Sequence, residues 1–165
     1  MPPLQGFIDR LEEFSALQGV SVFRTRLSPW VVGRMDKSQI VLRHGLSKEQ
    51  QLLTLVHELT HFLAHRPEAQ LNRTVCEYEA EAVEKLVAGA LGLKSLGKAI
   101  DLGEVTDDLL ACSVTRVRWV ARTLLTALQD AKSAPPVAPI AAPIAALIAA
   151  PIAAHRLQAQ APVEI

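Results

Sequence analysis

The chain has little cysteine, no charge imbalance and no visible export signal, and each absence narrows what it does. Cys76 and Cys112 are its two cysteines; in a cytoplasmic chain no disulfide is expected from them. Basic and acidic side chains balance at 17 each, so no nucleic-acid partner is implied. Met1-Pro2-Pro3-Leu4 does not open a signal peptide, which makes the cytoplasm the expected compartment. Tyr78 is the single tyrosine, so phenol groups for catalysis are scarce.

A long apolar run is missing until the C-terminal end. There Pro139-Ile140-Ala141-Ala142 is repeated with variation at Pro143, Leu147 and Pro151. From Val137 to Ala154 no side chain is polar. The run has the minimum length of a membrane span, but its prolines and alanines argue against a stable one. The expectation is a folded domain over 1–132 and a Pro/Ala/Ile-rich, disordered tail over 133–165. No membrane partner is expected beyond contact by that tail.

What is present is His57-Glu58-Leu59-Thr60-His61. The surrounding segment, 50–65, has apolar residues at Leu52, Leu53, Val56, Leu59, Phe62 and Leu63, the repeat of a helix with one buried stripe. Ser47 with Gln50 three residues on forms a capping box, and Arg66-Pro67 ends the helix. Within a helix, His57 and His61 share one face, so both imidazoles can bind one Zn²⁺. Glu58 lies one residue out of line, where it can act on water instead of the metal.

A catalytic zinc takes three protein ligands and leaves a position open. The next helix, ending near Gly92, begins with Glu77, Glu79, Glu81 and Glu84. Glu77 and Glu81 are four apart and share a face. One can reach the metal while the other hydrogen-bonds a ligand histidine and fixes its orientation. Glu77 is the preferred ligand. Glu79 and Glu84 read as a solvated acidic turn favoured by the helix dipole. His65 reads as a cation at the helix C-terminus, His44 as a surface residue, and Cys76 as a small buried residue.

The segments LLTLVHELTH, EYEAEAV and the closing Leu91-Gly92 resemble the ImmA/IrrE group of gluzincin metallopeptidases. They are closest to the peptidase-like domain of plasmid antirestriction proteins. The resemblance implies His57, His61 and Glu77 as zinc ligands, Glu58 as the general base and Glu81 as the acidic residue behind a ligand. It implies Zn²⁺ as cofactor and a regulatory protein, such as a helix-turn-helix repressor, as substrate. The antirestriction proteins also carry a single-strand DNA-binding domain. With so few residues before the motif, none is expected here, and DNA binding is not implied.

The remaining segments are scaffold. Leu4 to Leu17 predicts an amphipathic helix, and Val20–Leu27, Trp30–Arg34 and Gln39–Arg43 predict short strands. These form an expected two- or three-stranded antiparallel sheet, with the strand at Gln39–Leu42 holding substrate along its edge. A last helix runs from Thr106 or Asp107 to about Ala131. Its expected stripe is Leu109, Leu110, Val114, Val117, Val120, Ala121, Leu124, Leu125 and Leu128, with Arg116, Arg118 and Arg122 outside it. The fold class is α+β, a minimal zincin-like domain. Its expected function is zinc-dependent peptide hydrolysis; the alternative is a zinc-stabilised protein-interaction module.

Overall fold

Ser47 sets the start of the helix on which the rest of the fold is packed. Its side chain accepts the N–H of Gln50, and Gln50 returns a bond to the Ser47 N–H, so the capping box closes. The computed structural model describes residues 4–65, 72–97 and 106–132. The expected tail at 133–165 and the Arg66-Pro67 stop lie outside the described residues. In chain order the elements are α1 (Leu4–Leu17), β1 (Ser21–Thr25), β2 (Gly33–Asp36), β3 (Gln39–Arg43), α2 (Lys48–Ala64), α3 (Arg73–Leu91) and α4 (Asp107–Gln129).

Helix α2 is buried on almost every side. Leu52, Leu53, Leu55, Val56, Leu59 and Leu63 are all within the core. Phe7, Ile8, Leu11 and Phe14 of α1, Val83 and Val87 of α3, and Val120 and Leu124 of α4 join the same cluster. Each fully buried side chain of this size contributes about 1.5–3 kcal/mol against exposure, so α2 is held by packing more than by propensity. Asn72 caps α3 through the Thr74 N–H, and Gly92 ends it in the left-handed region, φ 67°, where only glycine sits without strain.

The sheet departs from the expected antiparallel arrangement. Its order is β1-β3-β2: β2 and β3 form an antiparallel hairpin, but β1 runs parallel to β3. The connection from Arg26 to Val32 carries the chain far enough for β3 to return between β1 and β2. That placement makes β3 the central strand, with Ile40, Val41 and Leu42 buried. Gln39–Leu42 therefore has no free edge, which overturns the expectation that it holds substrate along one; the edges of the sheet are β1 and β2.

Strand β2 lies unusually close to α2. A Cβ on Gly33 would overlap the Thr54 methyl and come within 3.1 Å of a Glu58 carboxylate oxygen. Thr54 is itself buried, so it cannot turn away. Glycine at 33 lets the edge strand touch the motif helix.

Helix α4 also differs from expectation. Val117, Val120, Ala121, Leu124 and Leu128 are buried as the stripe requires, but Val114 is 54% exposed. Arg116, expected outside, is 4% exposed. Leu110 and Leu125 are half-buried, Arg118 and Arg122 are exposed, and Leu109's side chain lies outside the described residues. The buried face of α4 thus includes Arg116, which donates to the buried carboxylate of Glu79 on α3.

Gly33→Ala should lower stability by about 1–3 kcal/mol through overpacking against α2. Gly89 lies on an exposed face of α3, where an added Cβ would meet no other atom. Its replacement by alanine should have the opposite sign, about 0.5–1 kcal/mol more stable. Paired urea melts test both; equal stability of Gly33→Ala and the parent would show that β2 does not depend on this contact.

Candidate metal centre

The 3.6-residue repeat of α2 puts His57 and His61 on the face opposite the core, and α3 crosses in front of them. Glu77 projects from the second turn of α3 into the gap. His57 Nε2 and His61 Nε2 are 3.1 Å apart. Glu77 Oε2 is 3.5 Å from the first and 3.8 Å from the second. The three side chains are the group of possible ligands found among the described residues. A tetrahedral ion at about 2.0–2.1 Å from its donors needs them about 3.3–3.4 Å apart. The observed separations bracket that edge, and two imidazoles with one carboxylate are a donor set that suits zinc. The residues fit the ion.

Glu58 sits beside this triangle and is 7% exposed. The main-chain N–H of Met35 donates to it, which places its carboxylate against β2. Burial pushes the Glu58 pKa up to about 7, and the Glu77 charge adds to the rise, against the pull of His57 and the Met35 N–H. A cation at the three donors would favour its ionised form.

The imidazoles are unlike each other. His61 is pushed down to about 4, first by burial and then by its neighbours His57 and His65. For His57, burial acts downward, but the Glu77 hydrogen bond and the Glu58 and Glu77 charges outweigh it and the net shift is upward. Glu77 is held below the usual carboxylate range, chiefly by its hydrogen bond with His57. A neutral imidazole and an ionised carboxylate are the forms that bind metal.

The other carboxylates of α3 divide by direction. Glu81 is half-buried at the cleft, with Lys85 Nζ 3.7 Å away. Glu79 and Glu84 are not the solvated acidic turn expected from sequence; both are buried. Glu84 accepts from the Ser95 hydroxyl and from the N–H groups of Leu96 and Gly97, tying the segment after α3 back to the helix. Glu79 is 1% exposed and accepts from Arg116 Nε at 2.9 Å, from Arg116 Nη2, and from Ser113 Oγ at 2.5 Å. It also meets His65 Nε2 at 2.9 Å. Burial alone would raise its pKa, but His65, Arg116 and Ser113 hold it low.

His65 thus has a carboxylate partner instead of a lone position at the helix terminus, and its Nδ1 lies 3.0 Å from His61 Nδ1. Its four-residue spacing from His61 was visible in the chain; the partner on α3 was not. Arg116 and Ser113 carried no local signal. His44 is exposed, Tyr78 and Cys76 are half-buried, and none of the three lines the cleft. Cys76 and Cys112 are both free thiols.

The cleft over the three donors has a volume of about 950 Å³. Trp30, Val31, Val32 and Met35 line it from the β2 side, with Arg73 and Glu81 from α3 and Leu96 and Gly97 from the segment after α3. Trp30 is 91% exposed. Among the described residues no helix is long and apolar enough to cross a membrane.

Residues 16–94 match the family model of the IrrE N-terminal-like domain of M78 peptidases. A stretch of 83 residues is 31% identical to a glutamyl-tRNA reductase of Marinobacter nauticus, covering 50% of this chain and 19% of that protein. The chain therefore spans less than a fifth of that relative, and the reductase's activity is a statement about that protein alone. No solved structure matches the chain.

The Glu79–Arg116 pair is buried enough that loss of one partner leaves an uncompensated charge. Arg116→Met should cost about 3–5 kcal/mol in urea unfolding. Replacing both, as Glu79→Leu with Arg116→Met, should cost less than the single change. A single variant within about 1 kcal/mol of the parent would mean that the pair carries no such burden.

Proposed function

From the match of residues 16–94 to the IrrE N-terminal-like family of peptidases, we propose that the chain is a zinc-dependent endopeptidase acting on an extended segment of a regulatory protein. The observation that carries the reading is the triangle of His57, His61 and Glu77 donors with Glu58 beside it. An interaction module that used metal only for stability would have no use for a buried carboxylate there.

A bound zinc would supply Lewis-acid chemistry, polarising a carbonyl and lowering the pKa of water. His57, His61 and Glu77 would hold it. Glu58 takes the proton from the attacking water and returns it to the leaving amine. Its burial and the Met35 N–H fix the carboxylate in place for both transfers. The substrate lies along β2, the edge strand at the cleft, whose main chain can add an extended peptide by hydrogen bonds. Trp30, Val31 and Val32, exposed just before that strand, give the peptide an apolar wall.

A transcriptional repressor of helix-turn-helix type fits as substrate, because such cleavage is what the ImmA/IrrE resemblance implies. We place the protein in the cytoplasm, where its two free thiols stay reduced.

Glu58→Gln should keep one zinc per chain and reduce cleavage of a repressor substrate by about a hundredfold or more. Undiminished cleavage by this variant would sink the peptidase reading. Glu77→Ala should lose zinc in metal analysis after dialysis, while Glu81→Ala keeps it; full occupancy in the Glu77 variant would reject the ligand assignment.

A further inference from the structure

Only one nitrogen of His61 faces the Glu77 and His57 donors; the other is already engaged. His61 Nδ1 and His65 Nδ1 lie 3.0 Å apart, so one of them carries the proton and the other accepts it. Glu79 decides which. It is buried and its two oxygens take hydrogen bonds from the Arg116 guanidinium and the Ser113 hydroxyl, so it serves as an acceptor. His65 Nε2, 2.9 Å away, must therefore donate. A neutral His65 that donates from Nε2 has a bare Nδ1. His61 Nδ1 then supplies the proton between the two rings, and the His61 Nε2 lone pair is left pointing at the other two donors.

We propose that His65 is a positioning residue, which locks His61 in the Nδ1–H tautomer with Nε2 free for metal, in response to the charge that α4 fixes on Glu79. The inference rests on the reading of His57, His61 and Glu77 as a metal site. It adds a relay of four residues behind it, Arg116 and Ser113 to Glu79 to His65, spanning three helices. His65 can serve because it occupies the C-cap of α2. Its own N–H still bonds the His61 carbonyl, while its backbone has left the helix at φ −121°, ψ 64°, which frees the ring to reach between α2 and α3. Its side chain is 5% exposed, and both ring nitrogens have a partner, His61 at Nδ1 and Glu79 at Nε2. Carboxylate–imidazole support of this kind is general in metal sites, and its loss costs about 10–100-fold in metal affinity.

Two measurements on the full chain test the relay. The first is zinc affinity by competition with a chromophoric chelator at neutral pH, with circular dichroism to confirm folding. His65→Phe keeps the ring's bulk and removes both nitrogens; its zinc dissociation constant should rise about 10–100-fold. His65→Asn keeps an acceptor near the Nδ1 position and should recover most of that loss, a rescue that a purely packing role for the ring would not give. The second is the tautomer of His61 in the zinc-free parent, read from two-bond ¹H–¹⁵N correlations. The proton should be on Nδ1. A folded His65→Phe with parental zinc affinity overturns the proposal, and so does a parent in which the His61 proton is on Nε2. The second result decides the matter even if His65→Phe does not fold. If the parent fails to bind zinc, the metal reading falls, while the tautomer still reports on the relay.

Discussion

A helix buried on nearly every side can carry histidines and a glutamate only where each polar atom finds a partner, because an unpaired buried group costs about 1–3 kcal/mol. Helix α2 meets that demand: among the described residues no buried side-chain nitrogen or oxygen lacks a partner. The demand organises its surroundings. Glu77 arrives in front of His57 and His61, Glu79 behind His65, and the Met35 N–H beside Glu58. Arg116 and Ser113 turn inward on α4 to balance Glu79. The face that α4 buries, with Val114 exposed and Arg116 inside, matches that buried charge.

The carboxylates of α3 show how direction, more than composition, assigns a role. Glu77, Glu79, Glu81 and Glu84 lie within eight residues on one helix. At about 100° per residue they point to different surroundings. Glu77 meets the imidazoles, Glu81 borders the cleft near Lys85, Glu84 gathers the backbone of Leu96 and Gly97, and Glu79 enters the core. One compact acidic stretch thus supplies a possible metal ligand, a cleft residue, a loop anchor and the hub of a buried network. The sheet serves the same centre from the other side. Gly33 lets β2 come against α2, so an edge strand lies along Glu58.

Much of this was legible in the chain. The helix over 50–65, its Ser47 capping box, the shared face of His57 and His61, and the Gly92 stop all follow from spacing and local chemistry, which act within a few residues. The chain also narrowed the carboxylate facing the two histidines to Glu77 or Glu81, with Glu77 preferred, and Glu77 is the one that lies beside them. Where reading failed, the deciding contact was distant. The parallel pairing of β1 depends on where β3 returns, which no residue near β1 states. The misplaced substrate edge followed from it. Glu79 and Glu84 look like a solvated turn because acidic residues in a helix's first turns usually are; their burial depends on Arg116 and on the segment at 95–97.

By itself the sequence determined the helices and the front of the candidate metal centre, since both are set by helical periodicity: two histidines one turn apart and a glutamate between them on the next face. The second strand it placed at Trp30–Arg34 lies instead at Gly33–Asp36. The tertiary structure alone decided the back of that centre. His65 becomes a support for His61 only because α3 brings Glu79 to it, and Glu79 can be there as an anion only because α4, thirty-seven residues further on, brings Arg116. A buried charge is stable only with its partner in place, and no local pattern can say where that partner will come from.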